Sequence, residues 1–141
     1  RQEIIFHSKK LTIINDSKAT TFSSSVSLLK SLENVHWIVG GQAKKGDKLL
    51  LSKRNCKNIK AYIFGNNKTF FISKLKKLMK YKSFLDLKSL IKKLSLEIKY
   101  NEDTTHKTIL FSPAAASFDN FKNFEERGEY FNKLIKKYLN A

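Results

Sequence analysis

Three short turns in this chain carry residues suited to holding an anion. They are Asn15-Asp16-Ser17-Lys18-Ala19-Thr20, Gly40-Gly41-Gln42-Ala43-Lys44 and Ser112-Pro113-Ala114-Ala115-Ala116-Ser117. Each follows an apolar run and precedes a helical pattern. Thr20 and Ser117 offer hydroxyls. Lys44 offers a point charge behind two glycines that let backbone come close to a ligand. A helix opening at Asp119 adds free amides and the positive end of its dipole. Such a set holds a carboxylate as readily as a phosphate. The competing duties are N-capping for Thr20 and Ser117 and plain solvation for Lys44.

Other chemistries find no residues here. The segment Gly40 to Lys45 lacks the G-x-x-x-x-G-K-[ST] spacing, and no G-x-G-x-x-G occurs. His7, His36 and His106 are scattered, and Cys56 is alone, so neither a metal cluster nor a nucleophilic triad can be assembled from them. One oddity remains: Arg127-Gly128 falls in the middle of a helical stretch, behind Glu125 and Glu126. A glycine there weakens a helix, which points to a packing or ligand role.

The turns need elements to position them. Glu3 to Phe6 and Leu11 to Ile14 read as short strands, paired as a hairpin or forming an edge. Val26, Leu29 and Leu32 mark a helix entered from Ala19 to Thr21. Val35 to Val39 is an apolar strand of the kind buried on both faces. Asp47 to Asn55, with three leucines, reads as a short helix. Ile59 to Phe64 is a strand closed by Gly65, and Lys68 to Lys80 a helix. Tyr81 to Phe84 reads as a short strand. Asp86 caps an amphipathic helix to Glu97. Tyr100 to His106 is a polar loop, Thr108 to Phe111 the last strand and Asp119 to Leu139 the last helix. Strand and helix alternate at roughly 20–25 residues, the rhythm of an α/β fold. We expect a Rossmann-like, doubly wound, mostly parallel sheet of about six strands with helices on both faces. Its strand ends would collect the three turns on one edge.

At 141 residues with 41% hydrophobic content, the chain suits a single core. No apolar run approaches the ~20 residues of a membrane span. The opening residues have no apolar leader segment. Without an initiator methionine, the chain reads as a piece of a longer protein. The net charge of +16 raises a nucleic-acid surface as one reading. Against it, 25 of the 28 basic residues are lysine, whereas base and phosphate recognition leans on arginine. We therefore take the charge as solvation.

NDSKAT (Asn15 to Thr20), GGxxK (Gly40 to Lys44) and SPAxASxDxFxxFEERG (Ser112 to Gly128) together resemble the C-terminal domain of the Mur ligases. NDSKAT resembles the branch that adds D-glutamate. The opening Arg1-Gln2-Glu3 is similar to the family's His-Arg-x-Glu hinge. The resemblance implies one glutamate-ligase domain over 1–141, with 1–9 next to the hinge. The UDP-binding and ATP-binding domains would lie outside the chain. It implies a cytoplasmic enzyme of peptidoglycan synthesis. ATP phosphorylates the carboxylate of UDP-N-acetylmuramoyl-L-alanine, and D-glutamate attacks the acyl phosphate. ATP and Mg2+ belong to the full enzyme, and this domain alone would be inactive and bind neither. Thr20, Lys44 and Ser117 would hold the D-glutamate carboxylates, with Phe124 and Phe118 lining the pocket. Arg1, Asp16 and Lys18 would face the nucleotide on closure, with Lys18 catalytic through its charge at the transferring phosphoryl group. A monomer with no membrane or nucleic-acid partner is expected. A basic nucleic-acid module and the C-terminal domain of a folylpolyglutamate synthase-like ligase are the alternatives.

Overall fold

Apolar runs without polar alternation become central strands, and the amphipathic stretches between them become the covering layers. The computed structural model describes residues 2–117 and 121–141. In chain order the elements are β1 (Glu3–His7), β2 (Leu11–Asn15), α1 (Phe22–Ser31) and β3 (Val35–Gly40). A single 3-10 turn (Lys53–Cys56) leads to β4 (Ile59–Phe64) and α2 (Lys68–Leu75). The chain then runs through β5 (Lys80–Phe84), α3 (Leu87–Tyr100), β6 (Lys107–Phe111) and α4 (Phe124–Leu139). The sheet order is β1-β2-β6-β3-β4-β5. Among the strand pairs of the described residues only β1–β2 is antiparallel. The expected doubly wound α/β architecture is therefore present.

Period-two alternation along each strand sends side chains to two separate cores. Val35, Trp37 and Val39 of β3 pack with Phe22 and Leu29 of α1 and Phe71 and Leu75 of α2. Ile38, Tyr62, Ile109 and Phe111 face the other way, against Leu90, Ile91 and Leu94 of α3 and Phe131, Leu134 and Ile135 of α4. Phe111 and Phe131 stack at 4.4 Å between ring centroids, which fixes α4 over β6. Asp86 caps α3, its side chain accepting from Ser89 N–H at 2.8 Å, as its sequence position predicts.

Three elements differ from expectation. Residues 47–52 are not helical, and only the 3-10 turn follows them. Leu49 is half-buried, Leu50 exposed and Leu51 buried, an alternation that suits extended chain. Asp47 is occupied elsewhere: its carboxylate accepts the first amide of α1, from Phe22 at 2.8 Å. Helix α2 stops at Leu75 because the chain from Lys80 is claimed by pairing with β4. Helix α4 opens at Phe124, capped by Asn123, and not at Asp119. Asp119 itself lies outside the described residues.

Candidate functional site

Strand β6 lies between β2 and β3, so the turns that follow these three strands leave adjacent carboxyl ends. Backbone hydrogen bonds then stitch turn to turn. Asp16 N–H donates to Phe111 O at 2.7 Å, and Ser112 N–H to Ile38 O at 3.2 Å. Gly40 N–H donates to Pro113 O at 3.0 Å. Gln42 and Ala116 exchange a pair of bonds at 2.9 and 3.0 Å. The sequence expectation that three turns share one edge is met. This is also the edge at which open α/β sheets bind ligands.

Close approach demands the glycines. Gly41 has φ +129°, and a Cβ there would lie 2.7 Å from Ala116 O. Ala114, at φ +56°, holds the left-handed conformation despite its side chain. Non-glycine residues in that region carry strain that the surrounding structure must over-determine. Here Ala114 is buried, and Pro113 before it is fastened to Gly40.

The site residues sit as follows. Thr20 is half-buried just ahead of α1, and that helix is capped by Thr21, whose Oγ1 accepts from Ser24 N–H at 3.3 Å. Ser117 is buried, and the cap of α4 is Asn123, whose Oδ1 accepts from Glu126 N–H at 2.8 Å. The capping duty that competes for Thr20 and Ser117 is thus performed by other residues. Lys18 and Lys44 are exposed at the edge. The Lys44 loop is anchored where Ala43 N–H donates to Asn67 Oδ1 at 2.7 Å. Phe124 is half-buried at the first turn of α4. Phe118 and Arg1 lie outside the described residues. The dipole of the last helix begins at Phe124, which moves its positive end away from the immediate end of the Ser117 turn.

Beneath these groups runs a polar network that the sequence alone does not disclose. Ser112 Oγ donates to Asp16 Oδ2 at 2.8 Å and also meets Ser25 Oγ. Trp37 Nε1 donates to Ser112 O at 2.7 Å. Burial pushes the Asp16 carboxyl up, and the Ser112 bond offsets part of that rise. Asn15 Nδ2 donates to Gly128 O at 3.0 Å and to Asn132 Oδ1 at 2.8 Å. Ser17 N–H donates to Asn15 Oδ1 at 3.1 Å, and Ser17 Oγ to Phe124 O at 2.7 Å. Arg127 is fully buried in α4, and its bonds reach Ser17 and Ala115. Each of these residues holds a turn in place. Thr20, Lys18, Lys44 and Ser117 all lie on the turns that these bonds hold at one edge.

Among the described residues no group of three or more His, Cys, Asp or Glu could hold a metal ion. Among them no helix is long and apolar enough to cross a membrane. A hollow of about 1030 Å³ opens at the opposite edge, near the amino ends of β3, β4 and β5. Eight of its twenty lining residues are lysines, Lys60, Lys80 and Lys82 among them.

No protein-family model matches the chain. Curated proteins do. The chain is 39% identical over 139 residues to the UDP-N-acetylmuramoylalanine--D-glutamate ligase of Wolbachia sp. subsp. Brugia malayi (strain TRS), covering 97% of this chain and 27% of the relative. It is 37% identical over 146 residues to the protein of the same name from Prochlorococcus marinus (strain MIT 9312), covering 99% and 30%. With the Rickettsia prowazekii (strain Madrid E) protein of that name it shares 35% over 142 residues, covering 98% and 31%. The chain thus spans about 30% of the length of the curated relatives it matches. Across nearly its whole length it resembles part of a Mur ligase, as the three motifs imply.

Proposed function

We propose that this chain is the amino-acid-binding C-terminal domain of an ATP-dependent ligase of peptidoglycan synthesis. That ligase would join D-glutamate to UDP-N-acetylmuramoyl-L-alanine in the cytoplasm. The observation that carries the reading is the convergence of the NDSKAT, GGxxK and SPAxAS turns on one sheet edge. The relatives named above add weight to it.

In this reading Thr20, Lys44 and Ser117 hold the two carboxylates of D-glutamate. A dicarboxylate needs two anion subsites, and a lysine with two hydroxyls on separate turns can furnish them. Phe124 closes the side of the pocket, with Phe118 beside it. Lys18, exposed on the first turn, faces the nucleotide and neutralises charge developing on the transferred phosphoryl group. Arg1 serves the same nucleotide-facing edge. Asp16, held by Ser112, lies on the same turn and faces the nucleotide on closure with Lys18. ATP, Mg2+ and the UDP-linked substrate are held by other domains of the ligase.

The test is phosphate release dependent on D-glutamate, measured in the ligase that contains this sequence. Replacing both Lys44 and Ser117 by alanine should cut kcat/KM for D-glutamate by at least about a hundredfold, since charge-assisted hydrogen bonds contribute about 1.5–3 kcal/mol each. Unaltered turnover in that double variant would sink the site assignment. Preference for L-glutamate over D-glutamate would favour a folylpolyglutamate synthase-like enzyme instead.

A further inference from the structure

We infer that Arg127 is a positioning residue that locks the three ligand turns into a single constellation; this rests on the D-glutamate reading above. Its guanidinium bonds the first and third turns and lies beside the second. Nε donates to Ser17 Oγ at 3.1 Å and Nη2 to Ser17 O at 2.6 Å, fixing the first turn. Nη1 donates to Ala115 O at 2.8 Å, fixing the third. The second turn packs its bare backbone on the same group: a Cβ at Gly41 would sit 3.4 Å from Nη1 and 3.3 Å from the Ala115 Cβ. No sequence-adjacent contact accomplishes this, since Arg127 and Ser17 are 110 positions apart.

The choice of residue type supports the role. The chain has only Arg1, Arg54 and Arg127 among 28 basic residues, yet its one fully buried cation among the described residues is an arginine. A lysine is a single point charge on a flexible stem. The guanidinium is a rigid fork whose donors point in several fixed directions, so one group can tie different segments together at once. Burying that charge costs free energy unless its donors are well matched, which ties the cation to this geometry. Gly128 completes the fit by letting α4 lie against Ser17 and Asn15, with 3.2 Å between its missing Cβ and the Ser17 Cβ.

The consequence is that the subsites are coupled. Thr20 and Lys18 follow Ser17, Lys44 follows Gly41, and Ser117 follows Ala115. A change at Arg127 moves all three groups relative to one another without removing any of them. The test uses Arg127→Lys, which keeps the charge and most of the volume. Amide hydrogen exchange on the full chain should accelerate about tenfold or more at Ser17, Gln42 and Ala116 together, while β4 and α3 stay protected. In the ligase containing this sequence, KM for D-glutamate should rise about tenfold or more with KM for ATP unchanged. Exchange that accelerates at only one turn, or uniformly throughout the chain, would overturn the clamp. So would a KM for D-glutamate that rises in Lys44→Ala but not in Arg127→Lys. A KM unmoved in both variants would instead count against the D-glutamate reading, with the exchange pattern still deciding the clamp.

Discussion

Gly128 shows how a single atom's worth of space decides between two opposing effects. Alanine in a helix interior is favoured over glycine by about 1 kcal/mol. A Cβ at 128 would meet the Ser17 Cβ at 3.2 Å and the Asn15 amide at 3.5 Å. Neither can retreat. Ser17 is pinned by Phe124, Asn15 and Arg127, and Asn15 by Gly128 O and Asn132. Overpacking costs about 1–3 kcal/mol, so Gly128→Ala should be destabilising by about 1 kcal/mol, read as a lower urea midpoint at unchanged slope. A raised midpoint would show that the Ser17 turn yields. At this scale the sequence displays the candidate ligand residues of the turns and hides the residues that hold the turns in place. Thr20, Lys44 and Ser117 stand out because they sit beside small residues after apolar runs. The roles of Asn15, Ser17, Ser112 and Arg127 depend on contacts across about a hundred positions, which no local pattern records.

The elements carry their own pH dependence. On β3, His36 Nδ1 lies 3.1 Å from Tyr62 Oη of β4, and that hydroxyl donates to Glu97 Oε2 of α3 at 2.6 Å. Burial, aided by the Lys60 charge, lowers the His36 pKa from 6.5 to about 4, with Glu97 opposing. Above pH 6.5 the imidazole is neutral in folded and unfolded chains alike. Below it the unfolded chain binds a proton that the folded chain refuses, so stability falls until about pH 4. His36→Gln should flatten that part of the profile in urea titrations at pH 7, 6 and 5. An unchanged slope between pH 6.5 and 5 would mean that the imidazole is protonated in place. Element boundaries were readable where capping and periodicity agreed, as at Asp86. They failed at Asp47, where three consecutive leucines imitate a helical stripe, and a distant amide claims the aspartate. They failed again at Asp119, because the helix waits for the Asn123 cap.

For the molecule as a whole, charge is distributed unevenly in its effects. The register sets Lys60 directly opposite Lys80, with Lys82 close by. Like charges facing each other across strands are destabilising. Burial first, then the neighbouring lysines against the pull of Glu97, lower the Lys60 pKa. Among the described residues only Lys82–Glu97 forms an ion pair. Salt therefore screens far more repulsion than attraction in a chain of net charge +16. Raising ionic strength from about 0.01 M to about 0.5 M should lift the thermal midpoint by several degrees. A falling midpoint would assign the net electrostatics to attraction. The α/β class was legible from the alternation of strand and helix patterns. The placing of β6 between two much earlier strands was not, because strand order is fixed by pairing at long range.

That central placing of β6 sets an order of events during synthesis. Strands β2 and β3 leave the ribosome early, yet the strand that joins them is Lys107–Phe111. Until it emerges, the nascent chain has two open strand edges in place of one sheet interior, the condition that invites wrong pairing. Closing the gap also brings in the Ser112 to Ser117 turn, and Arg127 arrives only with the helix after it. The turn that joins the other two is thus made late, and the arginine that ties it to the first turn later still. A chain cut off before α4 would keep the backbone bonds between the turns but lose the guanidinium that ties Ser17 to Ala115.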